Sequence, residues 1–180
     1  MSTRSQVKVL SEEPEAEFSE NVTLYHHWDG YPGNMISIIY KGWKSITSIK
    51  DRTYPNTNLY QVNRAGHAAG HLCHIDPWIF EPESGHTIHD DVEWYYKVWV
   101  DGHKNNKRIK IRGDNVREWV VEIYAAYDED EGPPKIELIY SDNITKMVNR
   151  KGKLRVDVAR KIKKITEGSY VGVTVAGENI

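Results

Sequence analysis

The chain has 180 residues, 39% of them hydrophobic, with six Trp, eleven Tyr and two Phe, which is one domain's length and enough apolar mass for a core. A formal net charge of -2 excludes a uniformly basic nucleic-acid binder, and the single cysteine, Cys73, excludes an internal disulfide and a cysteine zinc cluster. No apolar run approaches the ~20 residues of a membrane helix and residues 1–20 lack a signal-peptide pattern, so the expectation is a cytoplasmic protein without membrane contact.

Residues 1–20 end in SEEPEAEFSE, acidic and interrupted by Pro14, and read as a flexible tail. A main domain is expected over 21–127. Val22, Leu24 and His26 alternate with Thr23, Tyr25 and His27, the period of a short strand. DGYPG then breaks it. Ile36, Ile39, Tyr40, Trp43 and Ile46 fall three or four apart and predict a helix near 34–50, with Asn34 as N-cap. A second helix is predicted near 58–74. Its interior Gly66 and Gly70 weaken it by ~1 kcal/mol each relative to Ala, and the expectation is that they let another element approach closely.

DVEWYYKVWV alternates cleanly and predicts a strand over 92–100, paired as a hairpin with 107–112 across the turn DGHKNN. Val116, Trp119, Val120, Ile123, Tyr124 and Tyr127 suit a helix near 115–127, although WVVEIY is also rich in strand formers. DEDEGPP at 128–134 reads as a linker. Residues 135–180 then give a strand, a helix near 154–167 and a closing strand, a basic β-α-β extension packed on the main domain. The fold class is α+β with a mainly antiparallel sheet.

Three regions carry candidate chemistry. The first is LYHHWDGYPGN at 24–34. Strand, tight turn and helix put backbone N–H groups at a ligand. Trp28 and Tyr31 would stack a ring, Asp29 would accept from it, and Gly33 would allow close approach. The alternative is an architectural turn, with Trp28 anchored in the core, so that truncating Trp28 would lower stability by about 3 kcal/mol. The architectural role is the main expectation. YHHWDGYP also resembles the HWDGYP signature near the start of small uncharacterised prokaryotic and bacteriophage proteins, over residues 22–112. That resemblance implies a shared fold and a phage or prokaryotic setting, and no catalytic role.

The second region is histidine-rich. His67, His71 and His74 fall on one face of their helix, a spacing that suits a metal. His89, Asp91 and Glu93 would share a strand face if the strand already began at His89, and could hold a divalent ion such as zinc. Joined, the two clusters would suit hydrolysis by a metal-activated water. Taken separately, they are solvated side chains. The default expectation is no cofactor. No G-x-S-x-G elbow exists, and Cys73 is expected to be inert.

The third region is basic. Residues 1–134 carry a net -7 and residues 135–180 a net +5. Arg150, Lys151, Lys153, Arg160, Lys163 and Lys164 are candidates for nucleic-acid phosphates, or simply the wet face of an amphipathic helix. With no complete catalytic motif, the leading expectation is a small binding protein, in a phage setting an accessory factor acting on a host component or small ligand. A metal-dependent hydrolase and a nucleic-acid binder are the alternatives.

Overall fold

A computed structural model of the chain describes residues 3–12, 20–48, 64–76, 80–83, 88–89, 91–111, 114–127 and 134–166. The elements are β1 (Ser5–Ser11), β2 (Glu20–His26), α1 (Pro32–Ser48), α2 (Ala65–Ile75), β3 (Phe80–Glu83), β4 (Trp94–Asp101), β5 (Arg108–Ile111), β6 (Asp114–Arg117), β7 (Val120–Tyr127), β8 (Lys135–Asn143), α3 (Ile144–Met147) and α4 (Val156–Thr166). Six strands form one mixed sheet in the order β3-β2-β1-β4-β7-β8, and β5 and β6 form a separate two-stranded ribbon. The fold is α+β, as the sequence predicts.

All four helices lie against one face of the sheet. Val7 and Val9 of β1, Leu24 of β2, Trp94, Tyr96 and Val98 of β4, and Val121 and Ile123 of β7 share a core with Ile36 and Ile39 of α1, Leu72 of α2, Met147 of α3 and Ile162 of α4. The alternate residues of these strands face the other way. No helix covers that second face among the described residues.

Four expectations are corrected. Residues 5–11 are not tail but an interior strand, antiparallel to β2 and parallel to β4. The acidic composition of 11–20 masks a short alternation in which Val7 and Val9 point to the core and Gln6, Lys8 and Leu10 point away. The hairpin of 92–100 with 107–112 does not form. Both edges of β4 are taken, by β1 and by β7, and β5 pairs instead with β6. The segment between β4 and β5 is a clamped turn: Asn106 Nδ2 donates to the carbonyls of Trp99 and Glu118, both at 3.0 Å.

Residues 115–127 form no helix: they hold the end of β6 and, after Glu118 and Trp119, the whole of β7. A strand between two neighbours buries side chains on both faces, which hides its period of two and leaves a pattern that a helix also fits. The 128–134 segment joins β7 to β8, which pair antiparallel, so the chain from Lys135 continues the same sheet rather than opening a separate unit. The closing strand expected at 170–177 falls outside the described residues.

Helix α1 begins at Pro32, a residue suited to the first helical position because it has no N–H to satisfy. Tyr31 takes the capping position expected of Asn34, its carbonyl accepting from the amides of Asn34 and Met35 at 3.1 Å. Helices α1 and α2 pack together, and the close approach is made at Gly42, where a Cβ would lie 2.6 Å from Leu72 Cδ2. Gly66 and Gly70 play no such role: both are exposed, and a Cβ at either would meet nothing within 4 Å. The double change Gly66→Ala and Gly70→Ala is therefore expected to raise stability by about 2 kcal/mol, seen as a higher urea midpoint at unchanged slope.

Candidate functional site

The 24–34 turn divides its labour. Gly30 is its fixed point. The Gly30 amide donates to the Thr3 carbonyl at 2.8 Å, and its carbonyl accepts from the buried Tyr96 hydroxyl at 2.8 Å. A Cβ on Gly30 would lie 2.7 Å from both Cβ and Oγ of Ser5 and 2.8 Å from its backbone nitrogen. Asp29 sits at φ 53°, a left-handed conformation that Asp tolerates better than most residues. Asn34 Nδ2 ties the Asp29 carbonyl to the helix start at 3.1 Å. Pro32 is buried, and Tyr31 packs partly against the core. The backbone is thus architectural, as expected. Trp28 is not: its side chain is 62% exposed, where the sequence reading placed it in the core. The core at this end is already filled by Tyr96 and Met35, both fully buried, and the turn leaves Trp28 and Asp29 pointing outward. Gly33 lies in the first turn of α1, where its carbonyl accepts from Ser37 Oγ at 3.0 Å.

His26 and His27 separate to opposite faces of β2. His26 is buried on the helix-covered side, opposite Ser5, and burial together with the neighbouring His27 holds its imidazole down to about 4. An unfolded imidazole titrates near 6.5. Between those values the unfolded chain holds the extra proton, so this residue's contribution to stability is full above pH 6.5, falls as pH drops, and levels off below about 4. The loss should be about 3 kcal/mol. Comparing wild type with His26→Leu by chemical denaturation across pH 4–7 isolates it: the difference between the two should change with pH, and a constant difference would rule the account out.

The two metal-candidate clusters do not meet. His67 and His74 are exposed on α2, and His71 is half-buried with Nδ1 3.4 Å from Ser45 Oγ. Its pKa is lowered by burial and then by the charges of His74 and His67. This row lies on the helix layer. His89 and Asp91 lie beyond the opposite face, where the Tyr25 ring stands 4.9 Å from the His89 ring and the Tyr25 hydroxyl donates to Asp91 at 3.0 Å. Asp91 also takes Arg4 at 2.5 Å. The strand begins at Trp94, so His89, Asp91 and Glu93 do not share a strand face. Burial raises the Glu93 carboxyl. Among the described residues no three His, Cys, Asp or Glu side chains converge as metal ligands. Cys73 is half-buried, and burial pushes its thiol up, away from the reactive thiolate.

The basic segment divides in two. Arg150, Lys151 and Lys153 ride on a tight turn closed by Asn149 Oδ1, which accepts from the Lys151 amide at 2.8 Å. Gly152 holds that turn against α1 at φ 74°, where a Cβ would press on the Tyr40 ring. Arg160, Lys163 and Lys164 are exposed on α4, whose buried side carries Val158, Ile162 and Thr166. Ile165, on the same helix, is 44% exposed.

The sequence reading missed a cluster on the sheet face away from the helices. Register places Lys8 of β1 beside Lys97 of β4, and Lys97 beside Glu122 of β7. On one side of this row lie Tyr95 and Tyr124, and on the other Trp99. Glu122 accepts from the Trp99 indole at 3.0 Å and the Tyr124 hydroxyl at 2.8 Å, and His103 Nε2 lies 3.5 Å away. The Glu122 and His103 side chains are each only 13% exposed. The Lys97 ammonium sits 4.9 Å from the centre of the Tyr124 ring. Burial pushes Tyr95 up to about 12, and burial with the Glu122 hydrogen bond drives Tyr124 higher still. The sequence signal was the polar and aromatic alternate set of the 92–100 strand, Glu93, Tyr95, Lys97 and Trp99, but its neighbours in space come from segments far along the chain.

No protein family, curated protein or solved structure matches the chain. No helix among the described residues is long and apolar enough to cross a membrane.

Proposed function

We propose that this protein is a non-catalytic binding protein and that Trp28 is its contact point. The observation that carries this is a Trp28 that is 62% exposed, two residues before Gly30, which is clamped from three sides. Holding a large ring in water forgoes the burial that would otherwise stabilise it. Trp is also the side chain most often found at the energetic centre of protein interfaces, where a rigid mount lowers the entropy lost on binding. The turn supplies that mount. The resemblance of His27–Pro32 to the HWDGYP signature supports a phage or prokaryotic setting, with a host component in the cytoplasm as partner.

Two measurements test the reading. Trp28→Ala should leave the melting temperature within a degree or two of wild type, as exposed substitutions away from special features do. Wild-type protein immobilised and exposed to extract of the source cells should retain a partner that Trp28→Ala loses and that the exposed control Val156→Ala keeps. A Trp28→Ala variant destabilised by about 3 kcal/mol, the cost of truncating a buried aromatic, or one that keeps every partner, would defeat it.

A further inference from the structure

The helix-free sheet face carries a second feature, independent of Trp28. Lys8 and Lys97 are direct neighbours across the parallel β1–β4 pair, on strands about 4.8 Å apart. Both are half-buried. Like charges so placed repel, and an ordinary sheet would set a carboxylate between them. The nearest candidate, Glu122, is already occupied by the Trp99 indole, the Tyr124 hydroxyl and His103. Among the described residues no carboxylate lies within ion-pair distance of either lysine; the Lys97 ammonium rests instead on the Tyr124 ring. Two lysines on neighbouring strands, with no carboxylate partner among the described residues, favour an anion from outside. The next residue of β4 on that face is Trp99, also half-exposed, whose indole N–H is fixed by Glu122 and whose orientation is therefore set in advance.

We infer that Lys8 and Lys97 form a phosphate-binding site for a nucleotide, whose base stacks on Trp99. Lysines are suited to phosphate as point charges, and aromatic rings on an open sheet are a recurring platform for bases. The nucleotide is either free or one unit of a single strand, and the two sources share this chemistry.

The test uses the full chain with three probes: adenosine 5′-monophosphate, adenosine, and a fluorescein-labelled thymidine oligonucleotide. Calorimetry reads the first two and fluorescence anisotropy the third. Binding of the monophosphate, with adenosine at least about tenfold weaker, assigns the site to free nucleotides. Binding of the oligonucleotide alone, with affinity falling against salt at a log–log slope of about -1.4 for two phosphate contacts, assigns it to a single strand. In either case Lys8→Met with Lys97→Met should weaken binding about tenfold or more. The charge-preserving pair Lys8→Arg with Lys97→Arg should retain it. Arg160→Met with Lys164→Met on α4 should change nothing. The Met pair also removes a repulsion, so its melting temperature should equal or exceed that of wild type. Absence of binding by both the monophosphate and the oligonucleotide overturns the inference. So does binding indifferent to the Lys8 and Lys97 changes, or binding lost with the α4 cations instead.

Discussion

Removing residues 1–11 is expected to abolish cooperative folding. β1 is hydrogen-bonded along both edges, to β2 and to β4. Without it these two strands face each other across a gap of about two strand spacings, roughly 9.6 Å, with rows of amides and carbonyls unpaired. Val7 and Val9 are fully buried and Leu10 nearly so. At about 2 kcal/mol for each buried aliphatic side chain, their loss alone approaches the whole stability of many small domains. The Thr3 carbonyl that holds Gly30 and the Arg4 side chain that pairs with Asp91 go as well. Circular dichroism should show no sigmoidal thermal transition for the shortened chain. A cooperative melt near the wild-type midpoint would mean that β1 is dispensable, as a flexible tail would be.

Gly30→Ala comes next in size. The added methyl group would meet the Cβ, Oγ and backbone nitrogen of Ser5, all under 3 Å. Ser5 is no flexible tip that moves aside; it is the first residue of β1, paired to His26 and in register with Trp94. The turn must therefore retreat. Overpacking of this kind costs about 3 kcal/mol, and retreat also breaks the bonds to Thr3 and Tyr96, at about 1 kcal/mol each. The expected loss is about 5 kcal/mol, read from urea unfolding. Asp29→Gly is the useful companion, because it relaxes the φ 53° residue without touching Ser5; it should be near neutral or mildly stabilising. Equal destabilisation by both would mean that the whole turn, rather than the Gly30 contact, is what matters.

How much of this was legible in the sequence follows from how local the determining interactions are. α1 and α4 were readable because an apolar stripe at helical spacing is written within a dozen residues. The turn at Gly30 was readable as a turn because Gly and Pro constrain the backbone directly. Trp28 was misplaced because the path of a tight turn, not the size of a ring, decides whether that ring turns inward. β7 was misread because its two buried faces erase alternation. β1 was missed because seven residues carry little pattern, and its credentials lie in Trp94–Asp101, far along the chain. The metal clusters looked promising because spacing along the chain says nothing about which side of a sheet a segment will take. The array around Lys97 and Glu122 was illegible for the same reason: each strand contributes one unremarkable side chain, and only lateral pairing makes them neighbours.

The parallel contact of β1 with β4 has a consequence for synthesis. β1 leaves the ribosome well before its parallel partner, which lies about 90 residues downstream. β2 arrives early and can form a hairpin with β1, but two antiparallel strands alone are marginal in water. Until Trp94–Asp101 has emerged, one edge of β1 and the apolar side chains Val7 and Val9 lack their final cover. At 5–20 residues per second that interval lasts from several seconds to nearly twenty. The growing polypeptide therefore passes through a window in which the unpaired edge of β1 is open to other nascent chains. Its yield in cells should respond to translation speed and to holdase chaperones more than the stability of the finished protein would suggest.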